Sequence, residues 1–389
     1  MISFDNTEIA FKSKSNRDLK RAYWLFKAVG NRTFVKFGKW ATNVAFKLRL
    51  PIKGLIKKTI FHQFCGGESV EGSIATSNAL GKHNVKTILD YSIEGKTSDE
   101  DFDATVAEII ETIEAGNSND NIPFAVFKMT GICLFSILEK ANAGVDQLSG
   151  DDLKKFEQLV SRVDQICSAA HRCNVPVFID AEESWIQDTI DRVTKEMMMR
   201  YNKDAAIVYN TLQMYRHDRL AFFQTEIDSA RKDGHHLGMK IVRGAYMEKE
   251  RDRAEEKGYP SPIQPDKKAS DTDFNKALRL AIDNVDMVDL CAGSHNEESA
   301  MLLTEIMAEK NMPNNHRAVY FAQLLGMSDH ISFNLANAGY NVAKYVPYGP
   351  VKEVMPYLLR RADENTSVAG QTSRELSLIM KERRRRKGK

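Results

Sequence analysis

The chain has 389 residues, of which 42% are hydrophobic and 28% are charged, with 22 glycines and 10 prolines. This composition excludes collagen-like, low-complexity and wholly disordered proteins. Charges interrupt every long apolar run before about 18 residues, so the sequence predicts no membrane-spanning helix. The first 20 residues lack the apolar core of a signal peptide, and five cysteines without a CxxC pair predict reduced thiols in a cytosolic protein.

The net charge of +2 conceals a strong asymmetry along the chain. Residues 1–60 carry 14 Lys and Arg against 3 Asp and Glu, and residues 381–389 carry 7 against 1, so the remaining 320 residues carry a net charge of −15. Basic ends on an acidic body indicate contact with an anionic surface, either membrane phosphate or nucleic acid. A solvated surface that balances the acidic body is the alternative.

The predicted elements begin with a basic N-terminal region, residues 1–84, in which apolar residues are scattered between lysines. This pattern predicts a helical extension that packs on the next domain or lies on a membrane surface. From residue 85, short β-branched runs alternate with amphipathic helical stretches, which implies parallel strand pairing because a parallel crossover needs a dozen or more residues. The eight runs are residues 85–93, 124–130, 175–181, 205–212, 238–246, 287–294, 318–325 and 341–348.

Eight strand–helix units favour an α/β fold, a (β/α)8 TIM-type barrel over residues 85–365 with the helical N-terminal extension before it. An open doubly wound sheet is the competitor, but the chain contains no GxGxxG turn. Helix starts are predicted at Ser98, before three acidic residues, and at Ser328, before Asp329. Residues 366–389 are polar and end in a basic run, which predicts a flexible C-terminal tail.

Active sites of such barrels lie at the carboxyl ends of the strands. Lys128 and Asp180 each follow an otherwise apolar run there, and burying such a charge costs several kcal/mol unless it is paired. A converging site is therefore predicted, with an internal structural salt bridge as the alternative. Other polar residues at the predicted strand ends are Asp90, Glu94, Glu182, Glu183, Asn210, Gln213, Arg243, Tyr246, Ser294, His295, Asn296, Gln323, Tyr345 and Tyr348.

Two further pairs of adjacent residues are candidates for a binding role. Arg360 and Arg361 are adjacent on the last predicted barrel helix and together can clamp a carboxylate, although such a pair also occurs on solvated surfaces. His235 and His236 precede a strand and so belong to the face of the barrel opposite the active site. We therefore expect no metal site.

Three segments resemble the proline dehydrogenase family: FIDAEE at residues 178–183, KIVRGAY at 240–246 and YLLRRADEN at 357–365. The resemblance covers about residues 85–365 and is specific in its spacing. It implies a (β/α)8 barrel with non-covalent FAD that oxidises L-proline to 1-pyrroline-5-carboxylate by hydride transfer and passes electrons to a quinone. Lys240 stands where many bacterial relatives have Arg, and Asn210 where Gln is common, so the chain is similar to the eukaryotic-type branch.

The resemblance also implies a role for each site residue. Asp180 and Lys240 are expected to be catalytic, and Tyr345 is expected to cover the proline ring, because a smaller residue there accompanies hydroxyproline use in the family. The expected substrate-binding residues are Lys128, Tyr246, Leu324, Tyr345, Arg360, Arg361 and Glu94, which would pair with the first arginine. The expected FAD contacts are Glu182, Asn210, Val242, Arg243, Gly244, Ala245, Ser294, His295, Asn296 and Glu364.

The residues alone leave two other functions open. Lys128 could form a Schiff base in an aldolase-type barrel, and the basic ends could bind nucleic acid. The charged surroundings of Lys128 argue against the first, and the absence of aromatic-interleaved basic repeats argues against the second. We expect a monofunctional, cytoplasmic enzyme, with peripheral contact to the inner face of the cytoplasmic membrane through the basic ends as a further possibility.

Overall fold

The computed structural model describes residues 2–30, 33, 35, 38, 41, 52–93, 95–367 and 371–388, and places side chains for these residues outside 362–373. Eight parallel strands close into a barrel in chain order. This closed barrel confirms the predicted (β/α)8 fold. The strands are β1 (Val85–Tyr91), β2 (Phe124–Phe127), β3 (Val177–Ile179), β4 (Val208–Gln213), β5 (Leu237–Val242), β6 (Val288–Gly293), β7 (Val319–Leu324) and β8 (Val342–Tyr348).

The chain divides into two compact units, here called the terminal unit (Met1–Glu94 and Gln323–Lys389) and the central unit (Gly95–Ala322). They group the chain differently from the predicted regions 1–84, 85–365 and 366–389. Within the described ranges, no helix combines the length and the hydropathy needed to cross a bilayer.

The central unit contains the middle of the barrel and its helices. Helix Asp99–Asn117 begins where predicted, because the Ser98 hydroxyl accepts the N–H of Asp101 at 3.2 Å and three acidic residues occupy the first turn. Its buried residues recur every three to four positions, as an amphipathic helix requires. The other helices are Phe135–Ala143, Gly150–Cys173, Ser184–Tyr201, Arg219–Asp233, Met247–Lys257, Lys267–Asp283 and Glu297–Glu309.

The terminal unit is mainly helical around β1 and β8, as predicted for the N-terminal extension. Helix Asn16–Val29 starts in a capping box, in which Ser15 and Asp18 satisfy each other's backbone N–H groups. The other helical segments are Thr7–Ala10, Lys53–Ile56, the wider turn Lys57–Phe61, His62–Phe64, Val70–Gly81, Asp329–Asn337, Met355–Ser367 and Gln371–Arg385.

The C-terminal segment differs from the flexible tail that the sequence predicted. Residues Gln371–Arg385 form a helix whose Leu378 and Ile379 are buried in one apolar cluster with Leu19 and Phe26. The polar composition of this segment concealed an apolar stripe with helical spacing. Burial of that stripe stabilises the helix by removing apolar surface from water.

The arginines of this segment also have partners inside the terminal unit. Glu382 is fully buried and accepts hydrogen bonds from Arg385 at 2.8 Å and from Arg386 at 2.7 Å. Arg386 in turn donates to the carbonyl oxygens of Phe11 and Lys14. Part of the C-terminal basic run is therefore used for packing within this unit.

Ser328 precedes helix Asp329–Asn337, but its side chain makes no capping hydrogen bond. Its φ of 50° places the backbone in the left-handed region, and its N–H donates to the buried carboxylate of Glu375. The predicted helix start is therefore correct in position and wrong in mechanism. Glu375 binds the N–H of Ser328 itself rather than an N–H of the first helical turn, so this contact holds the residue before the helix and is not a serine-type cap.

Candidate active site

An aromatic cluster fills the barrel interior of the central unit below the carboxyl ends of its strands. The rings of Phe124 and Phe178 stack with their centroids 4.6 Å apart, and Tyr209 and Tyr320 meet them edge to face. The ammonium group of Lys240 lies 5.4 Å from the centroid of the Phe178 ring. The cluster is thus an apolar floor with one cation above it.

Asp180 is the partner of this cation. The residue directly follows β3, and its N–H donates to the carbonyl of Phe127 at 2.9 Å, which holds the ends of β2 and β3 together. Lys240 lies on β5 and donates a hydrogen bond to the Asp180 carboxylate. Both side chains are largely buried, and such a pair persists only where each charge compensates the other.

Glu182 lies two residues further along and is buried. Its two carboxylate oxygens accept the N–H of Thr130 at 3.1 Å and the hydroxyl of Thr130 at 2.5 Å. Burial raises the pKa of Glu182 to about 7, although the charge of Lys128 and the two Thr130 hydrogen bonds lower it, and Glu183 raises it further. The Glu182 carboxyl group therefore titrates near neutral pH.

Strand β4 carries two buried side-chain amides, Asn210 within the strand and Gln213 at its end, and their hydrogen bonding differs. The Asn210 amide donates to Asp191 at 2.9 Å, and its oxygen accepts the N–H of Thr211 at 2.8 Å. Gln213 is equally buried, yet among the described residues nothing donates to its Oε1. A buried acceptor without a partner suits a bound group that brings a donor. Gln213 was not among the predicted binding residues, and its position at a strand end was the available signal.

Arg243 follows β5 and is held by three acceptors. Its guanidinium donates to Asp271 at 2.6 Å, to the Ser294 hydroxyl at 2.7 Å and to the Ser299 hydroxyl at 2.9 Å. Gly244 follows with a φ of 125°, and a Cβ there would lie 2.5 Å from the ring of Tyr215. Only glycine fits this position. The segment thus brings its backbone close to the site, as contacts to a cofactor require.

The loop after β6 forms the start of helix Glu297–Glu309. The Asn296 side-chain oxygen accepts a hydrogen bond from the backbone N–H of Ser299 at 3.0 Å. The backbone N–H of Asn296 donates to the Ser294 hydroxyl at 3.1 Å. A helix N-terminus beside a guanidinium and a hydroxyl is a donor set that suits phosphate. Of the predicted cofactor residues, Val242 ends β5, Ala245 follows Gly244, and His295 lies between Ser294 and Asn296.

The remaining predicted residues belong mainly to the terminal unit. Leu324 ends β7, and the N–H after it, that of Leu325, donates to the carbonyl of Tyr345 on β8 at 2.9 Å. Arg361 is buried, with its guanidinium 5.1 Å from the centroid of the Tyr357 ring. Arg360 precedes it on helix Met355–Ser367, and Tyr246 lies in the central unit just before helix Met247–Lys257. Glu94 and the side chain of Glu364 lie outside the described residues.

The sequence pattern of residues 73–374 matches a family model described as proline dehydrogenase. The chain belongs to the proline dehydrogenase family. Among its relatives, "Proline dehydrogenase 1, mitochondrial" from Dictyostelium discoideum is 32% identical over 98% of the chain and 74% of that protein. The human protein of the same name is 40% identical over 60% of the chain and 39% of that protein. "Hydroxyproline dehydrogenase" from Xenopus laevis is 29% identical over 99% of the chain and 90% of that protein.

Solved structures of this enzyme family share the fold. Proline utilization A (PutA) from Bdellovibrio bacteriovorus, inactivated by N-propargylglycine, superposes with a TM-score of 0.73 at 20% identity, over 92% of this chain and 38% of that one. The chain spans 37% of the Drosophila melanogaster relative and 40% of the Caenorhabditis elegans relative.

The expected cytoplasmic location is wrong. Relatives from Dictyostelium discoideum, Drosophila melanogaster, Arabidopsis thaliana and Homo sapiens are all named mitochondrial. The prediction rested on reduced cysteines and on the missing signal peptide, and neither feature distinguishes the cytosol from a mitochondrial compartment.

Proposed function

We propose that this chain oxidises L-proline to 1-pyrroline-5-carboxylate, with FAD as the hydride acceptor and a quinone as the final electron acceptor. Family membership supports the substrate and the reaction. The buried pair of Lys240 and Asp180 above the aromatic floor carries the proposal. We infer that the Lys240 cation, on β5 and paired with Asp180, would stabilise the negative charge that develops during oxidation.

FAD would supply the two-electron oxidant when it is bound. The donor and acceptor groups of the central unit fit such a group: an orphaned acceptor on Gln213, a glycine that lets the backbone approach, and a phosphate-type donor set. We propose Gln213 in place of Asn210, whose amide is occupied by Asp191 and Thr211. The other proposed contacts are Val242, Arg243, Gly244, Ala245, Ser294, His295, Asn296 and Glu364.

The substrate would be oriented by its carboxylate. We propose Lys128 as one ligand and, by family resemblance, Arg360 and Arg361 as the others, since guanidinium groups bind carboxylates in a bidentate geometry. In the reaction the C–H bond beside the ring nitrogen breaks with its electron pair, a C=N bond forms, and the nitrogen proton leaves. Fixing the carboxylate determines which carbon meets the oxidant. Tyr246, Leu324 and Tyr345 are the proposed apolar walls.

A quinone acceptor would require the protein to meet a membrane, because quinones dissolve in lipid. We propose that the basic ends of the chain contact anionic lipid, with each exposed basic residue contributing about 1 kcal/mol near the surface. The names of the relatives support a mitochondrial location. Co-sedimentation with anionic vesicles that fades at high salt is the expected result. Absence of binding at low salt would rule out the contact.

Product analysis tests the proposed function. The protein is purified with its bound cofactor and incubated with L-proline and a soluble quinone, and the product is identified by NMR. We expect the cyclic imine in an amount equal to the quinone reduced. Borohydride trapping of a substrate on Lys128, without consumption of quinone, would instead establish the aldolase-type alternative.

A further inference from the structure

Glu182 is tied to the segment that carries Lys128. Both of its carboxylate oxygens bind Thr130, one through the backbone N–H and the other through the hydroxyl. Thr130 is the centre of the short turn Met129–Gly131, which begins directly after Lys128. The carbonyl of Lys128 closes this turn by accepting the N–H of Gly131 at 3.0 Å. The Glu182 carboxylate, after β3, therefore fixes the backbone that carries Lys128 after the neighbouring strand β2.

The charges of the two residues also act on each other. Glu182 is buried, and the positive charge of Lys128 stabilises its ionised form. The neighbouring Glu183 has a different partner, since it accepts a hydrogen bond from Lys249. Of the two adjacent glutamates, Glu182 is thus the one whose contacts lead to the Lys128 segment.

A buried polar network also holds the backbone of Glu182 in place. Its N–H donates to Gln187 Oε1 at 2.9 Å, and Gln187 donates to Asp191 Oδ1 at 2.8 Å. The other oxygen of Asp191 accepts a hydrogen bond from Arg219 at 2.7 Å. All of these side chains are buried, so breaking any link would leave an unsatisfied polar group. The network connects the Glu182 segment to helices Ser184–Tyr201 and Arg219–Asp233.

We propose that Glu182 is a positioning residue, which holds the Lys128 ammonium where it binds the carboxylate of the substrate. This inference rests on the proposed function and replaces the expected role of Glu182 as an FAD contact. It predicts that Glu182 acts on substrate binding only through Lys128. Glu182→Gln keeps the size of the side chain and one acceptor for Thr130. At about pH 8, where most of the Glu182 carboxyl is ionised, the substitution also removes the charge that acts on the lysine.

A double-mutant cycle of Glu182→Gln and Lys128→Met tests the proposal. We expect Glu182→Gln to raise KM for L-proline about 10-fold and to change kcat less than about 3-fold, because the carboxylate lies away from the bond that breaks. In the Lys128→Met background the same substitution should change KM less than about 2-fold. Effects that multiply, or an unchanged KM in the single variant, would overturn the positioning role.

A binding measurement separates this inference from the proposed function. Cyclopentanecarboxylate has the shape of proline but no amine to oxidise, and its Kd is measured by calorimetry on the same four proteins. We expect Glu182→Gln to weaken binding of this carboxylate in the wild-type background and to cause no further loss in the Lys128→Met background. This result would support the role of Glu182 even if the wild type does not oxidise proline. Failure of the wild type to bind this carboxylate would overturn it.

Two further variants show whether a change in KM comes from Glu182 itself or from misfolding of the variant. Asp188→Asn makes the same chemical change at an exposed position of helix Ser184–Tyr201, and we expect it to leave KM unchanged. Thr130→Val removes one donor to Glu182 without changing its charge. It should raise KM in the same direction by a smaller factor, and it replaces Glu182→Gln in the cycle if that variant does not fold.

Discussion

Each of the two units contains a buried pair of a strand lysine and an aspartate, and the two pairs differ in their surroundings. In the terminal unit Lys344 is fully buried on β8 and lies 2.9 Å from Asp329. Its ammonium also donates to the carbonyl of Met327 at 2.5 Å. The pair in the central unit, Lys240 and Asp180, keeps 14% of the aspartate side chain exposed and has an aromatic ring below the cation.

The electrostatics of the terminal pair are those of a structural contact. Burial lowers the pKa of Lys344, while Asp329 opposes this shift. Burial would raise the pKa of Asp329, but the charges of Lys344 and Lys14 outweigh it and hold that pKa low. Lys344 binds backbone carbonyls and Asp329 meets two cations, so this pair joins β8 to helix Asp329–Asn337. The neighbours of a buried ion pair, more than its burial, therefore indicate whether the pair serves folding or chemistry.

The largest expected effect is on stability in the terminal unit. Lys344→Met leaves the buried Asp329 without its main partner, which should lower the free energy of unfolding by about 3–5 kcal/mol. Urea denaturation measures this loss. Adding Asp329→Asn should recover part of it, because the unpaired charge is then removed. An unchanged denaturation midpoint would contradict the structural role of this pair.

The corresponding substitution in the central unit should act on the reaction. Lys240→Met removes the fixed cation above the aromatic floor, and we expect kcat for proline oxidation to fall about 10²–10³-fold. The cofactor content, read from the absorbance spectrum, should stay near that of the wild type. If Lys240→Met keeps its activity but loses stability, both ion pairs serve folding and neither serves the reaction.

A smaller effect concerns the dependence of stability on pH. The pKa of Glu182 is about 7 in the folded protein and 4.5 in an unfolded chain, so the folded state holds a proton that the unfolded state releases between these values. The stability contributed by the protonated group is complete below pH 4.5 and is lost as the pH rises through 7. Relative to Glu182→Gln, which cannot titrate, the wild type should lose Tm over this range and change no further above it. A constant difference in Tm would show an unshifted pKa.

The smallest expected effect is on substrate choice. Tyr345 lies on β8 beside Lys344, and we propose that its ring covers proline and leaves no room for a ring hydroxyl. The wild type should prefer L-proline to trans-4-hydroxy-L-proline, and Tyr345→Ser should narrow that preference. The ratio of kcat/KM for the two substrates measures it. Equal values in the wild type would place this chain nearer to the hydroxyproline dehydrogenase relative from Xenopus laevis.

The barrel could be predicted from the sequence because alternating strands and helices leave a local signal. Asp180 could be found for the same reason, as a charge at the end of an apolar run. The resemblance named Lys240 as catalytic, but its contact with Asp180 could not be predicted, because Lys240 lies 60 residues away inside a strand and only the barrel brings the two together. The choice between Asn210 and Gln213 likewise depends on which amide the neighbouring helix occupies.

The C-terminal helix was missed for a different physical reason. A run of arginines has the composition of a solvated tail. The sequence does not reveal that these arginines donate hydrogen bonds to Glu382 and to backbone carbonyls. Composition describes the average surroundings of a residue type. Burial of Leu378 and Glu382 depends on contacts with the first helices of the chain, and no local pattern contains them.

Flavin reduction by L-proline distinguishes the catalytic ion pair from the structural one. The wild type, Lys240→Met and Lys344→Met are loaded equally with FAD and mixed with L-proline without oxygen, well below the melting temperature of each, and bleaching of the flavin absorbance is followed. We expect bleaching in the wild type, a rate within about 3-fold of the wild-type rate for Lys344→Met, and a rate at least about 100-fold lower for Lys240→Met. Absence of bleaching in the wild type, or equal rates for the two variants, would show that Lys240 and Asp180 do not serve the reaction.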